Sequence, residues 1–456
     1  MFRIILFLLS LIKILAYNNT TFELYSTIEK SSYYGKYMPY RFQFSSDGNI
    51  IISLPRVYNH YEESIEQECS QYPALLMIEK NSSSPQKLND LPKIYSVMGF
   101  VMDIENKYYI LDQGIITTSD NKVREGTSKL IIHYLNQTDN NKDKTYNFTG
   151  IDLNYSLLTD IAVEHTGAYA YIIDSGNQFK NSNNNPGIIV YNLDKGKVYK
   201  ILNNHKSFKP SNTNKLSSDQ KRIILGYFEK AIRVNCIQIS CNDETIYYSS
   251  FKDTKIYSVS TSDIKNEIKN YENDNSNNKD NILNNIKVNS VDIGFKPMHF
   301  IISSKNNIFA LNSESKYIEV SFSIDKDLSS YNKEINTIIP LSEETNDKSY
   351  CLTICNGSLY ALHNFLDNGG SDLKDRATIF KAEIKNDELN SNVGCSVFIF
   401  KVSGANIFIF IYFFLVLVVT IIIISANSGD ALEKNKVRKD KEKEANIDEL
   451  NKKLKE

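Results

Sequence analysis

Short apolar runs, each following a polar turn, recur along the chain. IENKYYILDQG (104–114) and TGAYAYIIDSG (166–176) are near copies in which the run ends in Asp, one spacer residue and Gly. Runs rich in Ile, Tyr, Val and Phe and bounded by Asn, Asp, Gly or Ser predict strands that follow tight turns. Six such units are present, and their apolar runs begin near Ile50, Tyr108, Ala170, Ile246, Ile308 and Leu359.

This recurrence predicts one repeat architecture over most of the chain. Short strands that return with one turn signature are typical of β-propellers and strand arrays. Six units indicate six blades, so the expected fold class is all-β, with a six-bladed β-propeller as its main domain. Turn followed by strand is also the commonest local pattern in any all-β protein, which leaves a non-periodic β fold as the alternative.

The N-terminal residues have the pattern of a signal peptide. MFRIILFLLSLIKILA carries a basic residue, an apolar core and a small residue, Ala16, at which cleavage is expected. Residues 1–16 are therefore predicted to direct the chain into the secretory pathway.

A second apolar segment lies near the C-terminus. IFIFIYFFLVLVVTIIIISA (407–426) contains no charged residue and is long enough to cross a bilayer as a helix. The tail after it, residues 427–456, carries nine Lys or Arg, and positive residues stay on the cytosolic side. We therefore predict a transmembrane helix at 406–426, a cytoplasmic charged tail and an extracellular or lumenal domain at 17–400. This is the topology of a single-pass type I membrane protein, expected at the cell surface.

The exterior region carries the chemistry of the secretory pathway. An oxidising compartment and an even number of cysteines favour disulfides, with no connectivity readable from sequence. The pair at 351 and 355 lacks a second Cys or His pair, so no metal site is predicted there. The glycosylation candidates are Asn18, Asn19, Asn81, Asn136, Asn147, Asn154 and Asn356. The disulfide candidates are Cys69, Cys236, Cys241, Cys351, Cys355 and Cys395.

Charge and composition exclude some functions and define one insertion. The net charge is −2, and the exterior region lacks basic clusters with interleaved aromatic residues, so no nucleic-acid partner is expected. Residues 265–289 are rich in Asn and Lys. Such a composition buries too little apolar surface to offset its ordering entropy, which predicts a solvated loop between the fourth and fifth blades.

Several motifs follow one another along the chain. They are NIIISLPRVYN (49–59), KYYILDQGI (107–115), SKLIIHYL (128–135), LLTDIAVE (157–164), AYAYIIDSG (168–176), GIIVYNLDKGKVYKI (187–201) and IQISCNDETIYYSSFKDTKIYSVST (237–261). In this order the motifs resemble the major royal jelly protein/yellow family. The similarity covers about residues 41–370 and implies a six-bladed propeller.

The chain also departs from the family pattern. Members usually have Trp-Arg-Val where Tyr199, Lys200 and Ile201 stand, and a Gly before IQIS, where Asn235 and Cys236 stand. Typical members are secreted without a membrane anchor. Some relatives bind small aromatic amines in the channel, and some insect members are credited with converting dopachrome. These properties are implied by the resemblance, and the departures weaken their transfer to this chain.

Candidate ligand-binding residues come from the last repeat and the first. Asn364 falls where the family often has an Asn at the channel mouth, with His363 and Phe365 beside it. An aromatic ligand needs a stacking face and an amide partner, whereas the alternative places Asn364 in a turn and Phe365 in the core. Arg56 is a candidate for an anion or for a structural ion pair.

The two aspartates of the repeated motif have two interpretations. Asp112 and Asp174 hold the same place in their repeats, and Asp-x-Gly is turn chemistry because the carboxylate bonds backbone N–H groups ahead of it. The alternative is a role at the channel or funnel. In a lactonase-like propeller, Asp112, Asp174 and Asn364 would contribute to a cage for a divalent cation such as Ca²⁺; otherwise no cofactor is expected.

Three functions from different classes follow. The first is a membrane-tethered propeller that binds a small, aromatic amine-like or extracellular ligand in or near its channel. The second is a channel enzyme of dopachrome-isomerising or lactonase-like type. The third is a structural or adhesive cell-surface glycoprotein. The six His residues are scattered without a helix-borne pair, so no catalytic residue is assigned.

Overall fold

The computed structural model describes most of the region between the two predicted ends. At residues 23, 24, 27, 29, 317–324, 331–340, 348–350, 363–366, 373–376 and 383 it describes the backbone alone. The described residues are 23–29, 39–55, 73–80, 82, 84–88, 91–103, 107–115, 122–134, 143–154, 156–176, 185–208, 236–249, 253–274, 283–303, 307–312, 317–324, 331–340, 348–355, 358–366, 373–383, 443 and 446.

In this part of the chain, 24 strands form six four-stranded sheets in which every strand pair is antiparallel. One α-helix, α1, spans Thr261–Asn273, and a 3₁₀ turn spans Lys206–Phe208. The strands are β1 Glu23–Glu29, β2 Phe42–Phe44, β3 Ile50–Ser53, β4 Leu75–Ile78, β5 Pro85–Lys87, β6 Val97–Met102, β7 Lys107–Asp112, β8 Lys129–Tyr134, β9 Lys144–Asn147, β10 Leu158–Val163, β11 Tyr169–Asp174, β12 Gly187–Asn192, β13 Lys197–Ile201, β14 Cys236–Ile239, β15 Thr245–Ser249, β16 Lys255–Ser260, β17 Asn289–Asp292, β18 Pro297–Ile302, β19 Ile308–Asn312, β20 Tyr317–Ile324, β21 Tyr331–Pro340, β22 Lys348–Cys355, β23 Ser358–Leu366 and β24 Leu373–Glu383.

The strand order within the sheets is that of a propeller. Five sheets are built from four consecutive strands each, from β2–β5 to β18–β21. The remaining sheet has the order β1-β24-β23-β22, so the first strand of the chain is hydrogen-bonded to the last. The first strands β6, β10, β14, β18 and β22 each contact the next in this series, and β22 also contacts β2. The molecule is therefore an all-β propeller with these strands on its inner side.

The predicted repeats coincide with one strand position. Each of the six apolar runs falls in the second strand of a different sheet, namely β3, β7, β11, β15, β19 and β23. The turn before β3 has Gly48 at φ 83°, a left-handed backbone conformation that favours glycine. The sequence pattern thus located one strand in every sheet.

The innermost strands approach one another closely enough to restrict side-chain size. A Cβ placed on Gly99 of β6 would lie 2.7 Å from the Cα of Asp160 in β10. Apolar side chains fill the remaining space between the sheets, and the largest core cluster lies between the sheets β10–β13 and β14–β17. In it, the Phe208 and Tyr248 rings stack with their centroids 5.3 Å apart.

The prediction of a solvated loop at 265–289 was wrong for its first part. Residues up to 273 continue helix α1, and Asn289 begins β17. Ile264 and Ile268, one helical turn apart, are buried against the neighbouring strands. Ser260 caps the helix by accepting a hydrogen bond from the Asp263 amide. An apolar stripe within a polar sequence was therefore enough to order the segment.

The predicted ends fall outside this description. The signal peptide (1–16) and the transmembrane segment (406–426) have no described residues, and the tail is described only at 443 and 446. Among the described residues, no helix is long and apolar enough to span a membrane. The chain divides into two compact units, Met1–Phe398 and Ile399–Glu456, and all the strands lie in the first.

Candidate functional site

Asp112 ties the end of one strand to the start of its neighbour. Its carboxylate accepts hydrogen bonds from the backbone N–H groups of Tyr95 (3.0 Å), Ser96 (2.9 Å) and Gly114 (3.0 Å). The Lys129 Nζ lies 3.9 Å away. Burial raises the pKa of Asp112 to about 6, although these hydrogen bonds and Lys129 act in the opposite direction.

Asp174 has the equivalent surroundings in the next sheet. It accepts hydrogen bonds from the N–H groups of Leu157 (3.0 Å) and Gly176 (2.9 Å) and from the Ser156 hydroxyl (2.6 Å). The Lys200 Nζ donates at 2.6 Å to the same carboxylate oxygen as the Ser156 hydroxyl. Like Asp112, Asp174 is fully buried. In both repeats the carboxylate accepts from the Gly amide two residues ahead, as in the turn interpretation of the motif. It also fixes the segment that precedes the innermost strand.

A group of polar side chains lies where the innermost strands meet. This axial cluster consists of Asp160 of β10, Cys236 of β14, His299 of β18 and Arg41, the residue directly before β2. The Arg41 guanidinium lies 3.3 Å from the Asp160 carboxylate, and both side chains are almost fully buried. The Ile237 amide donates to the same carboxylate oxygen at 3.0 Å. Three sheets are thereby connected through one ion pair.

The remaining members of the axial cluster are hydrogen-bonded and neutral. The Cys236 thiol donates to the Phe300 carbonyl (3.1 Å), and burial raises its pKa well above the usual value. The Leu352 amide donates to the His299 Nδ1 at 3.1 Å, which assigns the ring proton to Nε2. Burial, together with Arg41, holds the pKa of His299 well below its usual value of about 6.5.

The axial cluster has metal-type ligands but not the surroundings of a metal centre. One ligand atom each from Asp160, Cys236 and His299 lies within 4.8 Å of the others, a set of groups that suits zinc. However, Arg41 places a positive charge beside the carboxylate. A metal-bound histidine usually donates through its second nitrogen, whereas His299 accepts there. The cluster therefore fits a hydrogen-bonded polar core.

We expect His299 to make the folded state sensitive to acid. Below a pH of about 6.5, an unfolded histidine binds a proton that the buried His299 does not bind. The free energy of unfolding should then fall as the pH falls from 7 to 5, by up to about 1.4 kcal/mol per pH unit. His299→Asn, whose amide oxygen can accept from Leu352, should flatten this slope in urea titrations at each pH. Identical slopes in both proteins would contradict the assignment of this acid sensitivity to His299. The charged or titratable groups around the ring are Arg41, Asp160, Cys236 and Cys351.

The candidates of the last repeat lie in β23, and their side chains are outside the described residues. The backbone of Asn364 pairs with Lys348 on one side and Ala377 on the other, so it is in a strand and not in a turn. His363 and Phe365 are in the same strand. Arg56 lies outside the described residues. The proposed roles of these four residues stay predictions.

The cysteine and glycosylation candidates lie partly inside and partly outside the described residues. Cys236, Cys351 and Cys355 are free thiols, so they do not form the predicted disulfides; the first two lie on innermost strands of different sheets. Cys69 and Cys395 lie outside the described residues, and the pairing of Cys241 stays a prediction. Of the glycosylation candidates, Asn147 and Asn154 are described and exposed, and the other five lie outside.

An open cavity lies away from the axis, beside the outermost strand β13. This outer cavity has a volume of about 300 Å³. Its wall includes Lys200 and Ser156, both bonded to Asp174, so the repeated motif forms part of its support. Its other lining residues are Gly150, Ile151, Asp152, Asn185, Val198, Tyr199, Asn203, Tyr271, Leu283 and Asn284.

Aromatic and amide groups converge on the outer cavity from separate elements. Tyr199 of β13 and Tyr271 of α1 are in edge-to-face contact, with ring centroids 6.2 Å apart. The backbone N–H of Asn203 donates to the Asn284 Oδ1 at 2.7 Å, and this hydrogen bond orients the Asn284 side chain. In the sequence, Tyr199 and Lys200 stand out only as departures from a family pattern. No local pattern marks the other lining residues, because they come together only through packing of distant segments.

Comparison with known proteins identifies the family of this chain but not its function. A search of curated proteins finds no significant match. Three solved structures are similar to this chain: a calcium-binding protein, regucalcin, from Agrobacterium tumefaciens (12% identity, 80% of this chain and 97% of that chain covered, TM-score 0.44), a luciferin-regenerating enzyme (9%, 78% and 94%, 0.42) and a catalytically inactive virginiamycin B lyase from Staphylococcus aureus (11%, 80% and 100%, 0.39). At these scores, none carries an argument about the function of this chain.

The family match rests on the sequence. The major royal jelly protein model matches residues 95–368, which is more than half of the 456 residues. The match includes both Asp-x-Gly repeats and every strand from β6 to β23. The chain belongs to the major royal jelly protein family.

Proposed function

We propose that this protein is a membrane-tethered, six-bladed propeller that binds a small ligand in the outer cavity. The six four-stranded sheets and the pairing of β1 with β24 support a closed ring of six blades. The apolar segment at 406–426 supports the tether. The ring would then present its ligand site outside the cell.

One observation carries the choice of site. The outer cavity is open and brings together two tyrosines, three asparagines, an aspartate and a lysine, whereas the axial cluster is buried and packed. Ligand sites generally combine a concave surface with a few convergent polar groups and aromatic faces. The ligand therefore lies beside the channel, in the space between β13, α1 and the segment before β10.

The membrane topology has a separate test. Full-length protein should remain with membranes after a high-salt wash, and a glycosidase specific for N-linked glycans should lower its apparent mass. An epitope placed after residue 456 should resist protease added to intact cells, because the tail is predicted to be cytoplasmic. Digestion of that epitope, or release of the protein by the salt wash, would contradict the proposed type I arrangement.

The ligand-binding proposal predicts a site-specific loss of stabilisation. Full-length protein in detergent would be melted with catecholamines, indoleamines, neutral sugars, sugar lactones and Ca²⁺, since a ligand that binds only the folded state raises Tm. We expect at least one organic ligand to raise Tm, and Asn284→Ala to reduce that affinity about tenfold by removing one hydrogen bond to the ligand. Asn285→Ala changes the adjacent residue, which is exposed and does not line the cavity, and should leave binding intact.

Other outcomes would overturn the proposal. A shift that both variants retain would place the ligand elsewhere. A shift with Ca²⁺ alone would favour the lactonase-like enzyme, and no shift with any compound would favour the structural or adhesive glycoprotein.

A further inference from the structure

We infer that the outer cavity recognises a neutral saccharide of more than one ring. This inference rests on the proposed function and names the ligand class of the same site. It follows from the shape of the surface beside β13, from the pairing of its charges and from the chemistry of its lining groups.

The binding surface continues along β13 as two adjoining cavities. A second cavity of about 350 Å³ shares Val198, Tyr199 and Tyr271 with the outer cavity. We call the two together the β13 groove. Four residues of this strand, from 197 to 200, line the β13 groove and give it a length of roughly 10 Å. An elongated ligand would therefore pass the two tyrosines at the middle of the groove.

The charges of the β13 groove are largely neutralised by one another. Glu272 of α1 accepts hydrogen bonds from the Lys197 Nζ and the Tyr199 hydroxyl, each at 2.6 Å, and its other oxygen lies 3.5 Å from the Lys195 Nζ. These contacts lower the pKa of Glu272 to about 2. At the other end, the Lys200 Nζ is bonded to the buried Asp174. The groove thus lacks a cluster of one sign, which a phosphate or a polybasic ligand would require.

The remaining groups suit a polyhydroxylated ring. Asn185, Asn203 and Asn284 are among the residues that line the first cavity, and Thr149 lines the second. Amides both donate and accept, as hydroxyl groups do, and the half-buried Tyr271 ring provides a flat apolar surface for a sugar face. A peptide added to the edge of β13 would instead need pockets for alternate side chains. The hydrogen-bonding lining favours the saccharide.

Saccharide can reach the β13 groove from two sources. Residues 149–152 line the groove, and the exposed acceptors Asn147 and Asn154 lie on either side of this segment. A glycan attached to either residue would place sugar rings beside the groove. A glycan from another molecule would have the same chemistry.

The test is calorimetric titration of full-length protein with chitotriose, mannotriose and cellotriose. We expect one trisaccharide to bind, Tyr271→Ala to weaken it at least tenfold, and Tyr271→Phe and Asn285→Ala to retain it. Unchanged melting temperatures without ligand would show that the variants fold. The double variant Asn147→Gln/Asn154→Gln distinguishes the sources: binding only to this variant indicates a resident glycan, and equal binding to both proteins indicates an external one.

Three results would overturn the inference, and they have different consequences for the proposed function. If no trisaccharide binds either protein, but another compound shows a Tm shift that Asn284→Ala removes, the saccharide is wrong and the ligand site stands. If Asn284→Ala weakens the binding of no compound, the saccharide inference and the proposed ligand site are both wrong. Trisaccharide binding that Tyr271→Ala leaves unchanged would also exclude the β13 groove.

Discussion

Asp160→Asn is expected to lower the free energy of unfolding by about 3–5 kcal/mol. The substitution keeps the size of the side chain and an acceptor for the Ile237 amide, but it removes the charge that lies 3.3 Å from Arg41. A buried guanidinium would then lack its counter-charge in a region with little access to water. Urea unfolding followed by circular dichroism measures the change.

Two further variants separate this mechanism from a general effect of mutation. Asp194→Asn makes the same chemical change at an exposed position and should stay within about 0.5 kcal/mol of the wild type. Arg41→Met combined with Asp160→Asn removes both charges and should recover most of the loss. If the double variant is no more stable than Asp160→Asn alone, the ion pair is not the cause.

Phe208→Ala should destabilise the protein by about 3–5 kcal/mol. Phe208 is fully buried in the 3₁₀ turn after β13 and stacks on Tyr248, which in turn stacks on Tyr257 with centroids 5.3 Å apart. Truncation would leave a cavity between two sheets whose backbones are hydrogen-bonded internally and cannot easily close it. The same urea titration gives the magnitude.

Two further variants separate the effect of side-chain size from the effect of burial. Phe208→Leu should cost less because it fills more of the cavity. Phe148→Ala removes an aromatic side chain of the same type that is only partly buried against Tyr191, and it should cost less than Phe208→Ala. Equal losses for Phe208→Ala and Phe148→Ala would show that burial between the sheets is not decisive.

The local signals in the sequence were sufficient for many of the strands. A polar turn followed by an apolar run is encoded within about ten residues, and all six predicted units are second strands of sheets. Helix α1 was missed although it also has local signals. Ser260 and Asp263 form an N-terminal cap, and Ile264, Ile268 and Tyr271 recur at helical spacing. The abundance of asparagine after them obscured this pattern.

The candidate sites depend on contacts that no local pattern contains. Arg41 and Asp160 are 119 residues apart in sequence, and Cys236 belongs to a third sheet. The β13 groove similarly combines an outermost strand, a helix and two connecting segments. The side chains at 363–366, on which the predicted channel site depended, fall outside the described part of the chain.

The all-β class, the position of one strand in each sheet and the resemblance to one family could be read from the sequence. These properties follow from short-range turn chemistry and from motifs in a fixed order. The buried ion pair between Arg41 and Asp160 and the open cavity beside β13 became visible only in the folded chain. Burial and charge pairing depend on which distant strands pack together, because an isolated segment carries no information about the side chains that will face it.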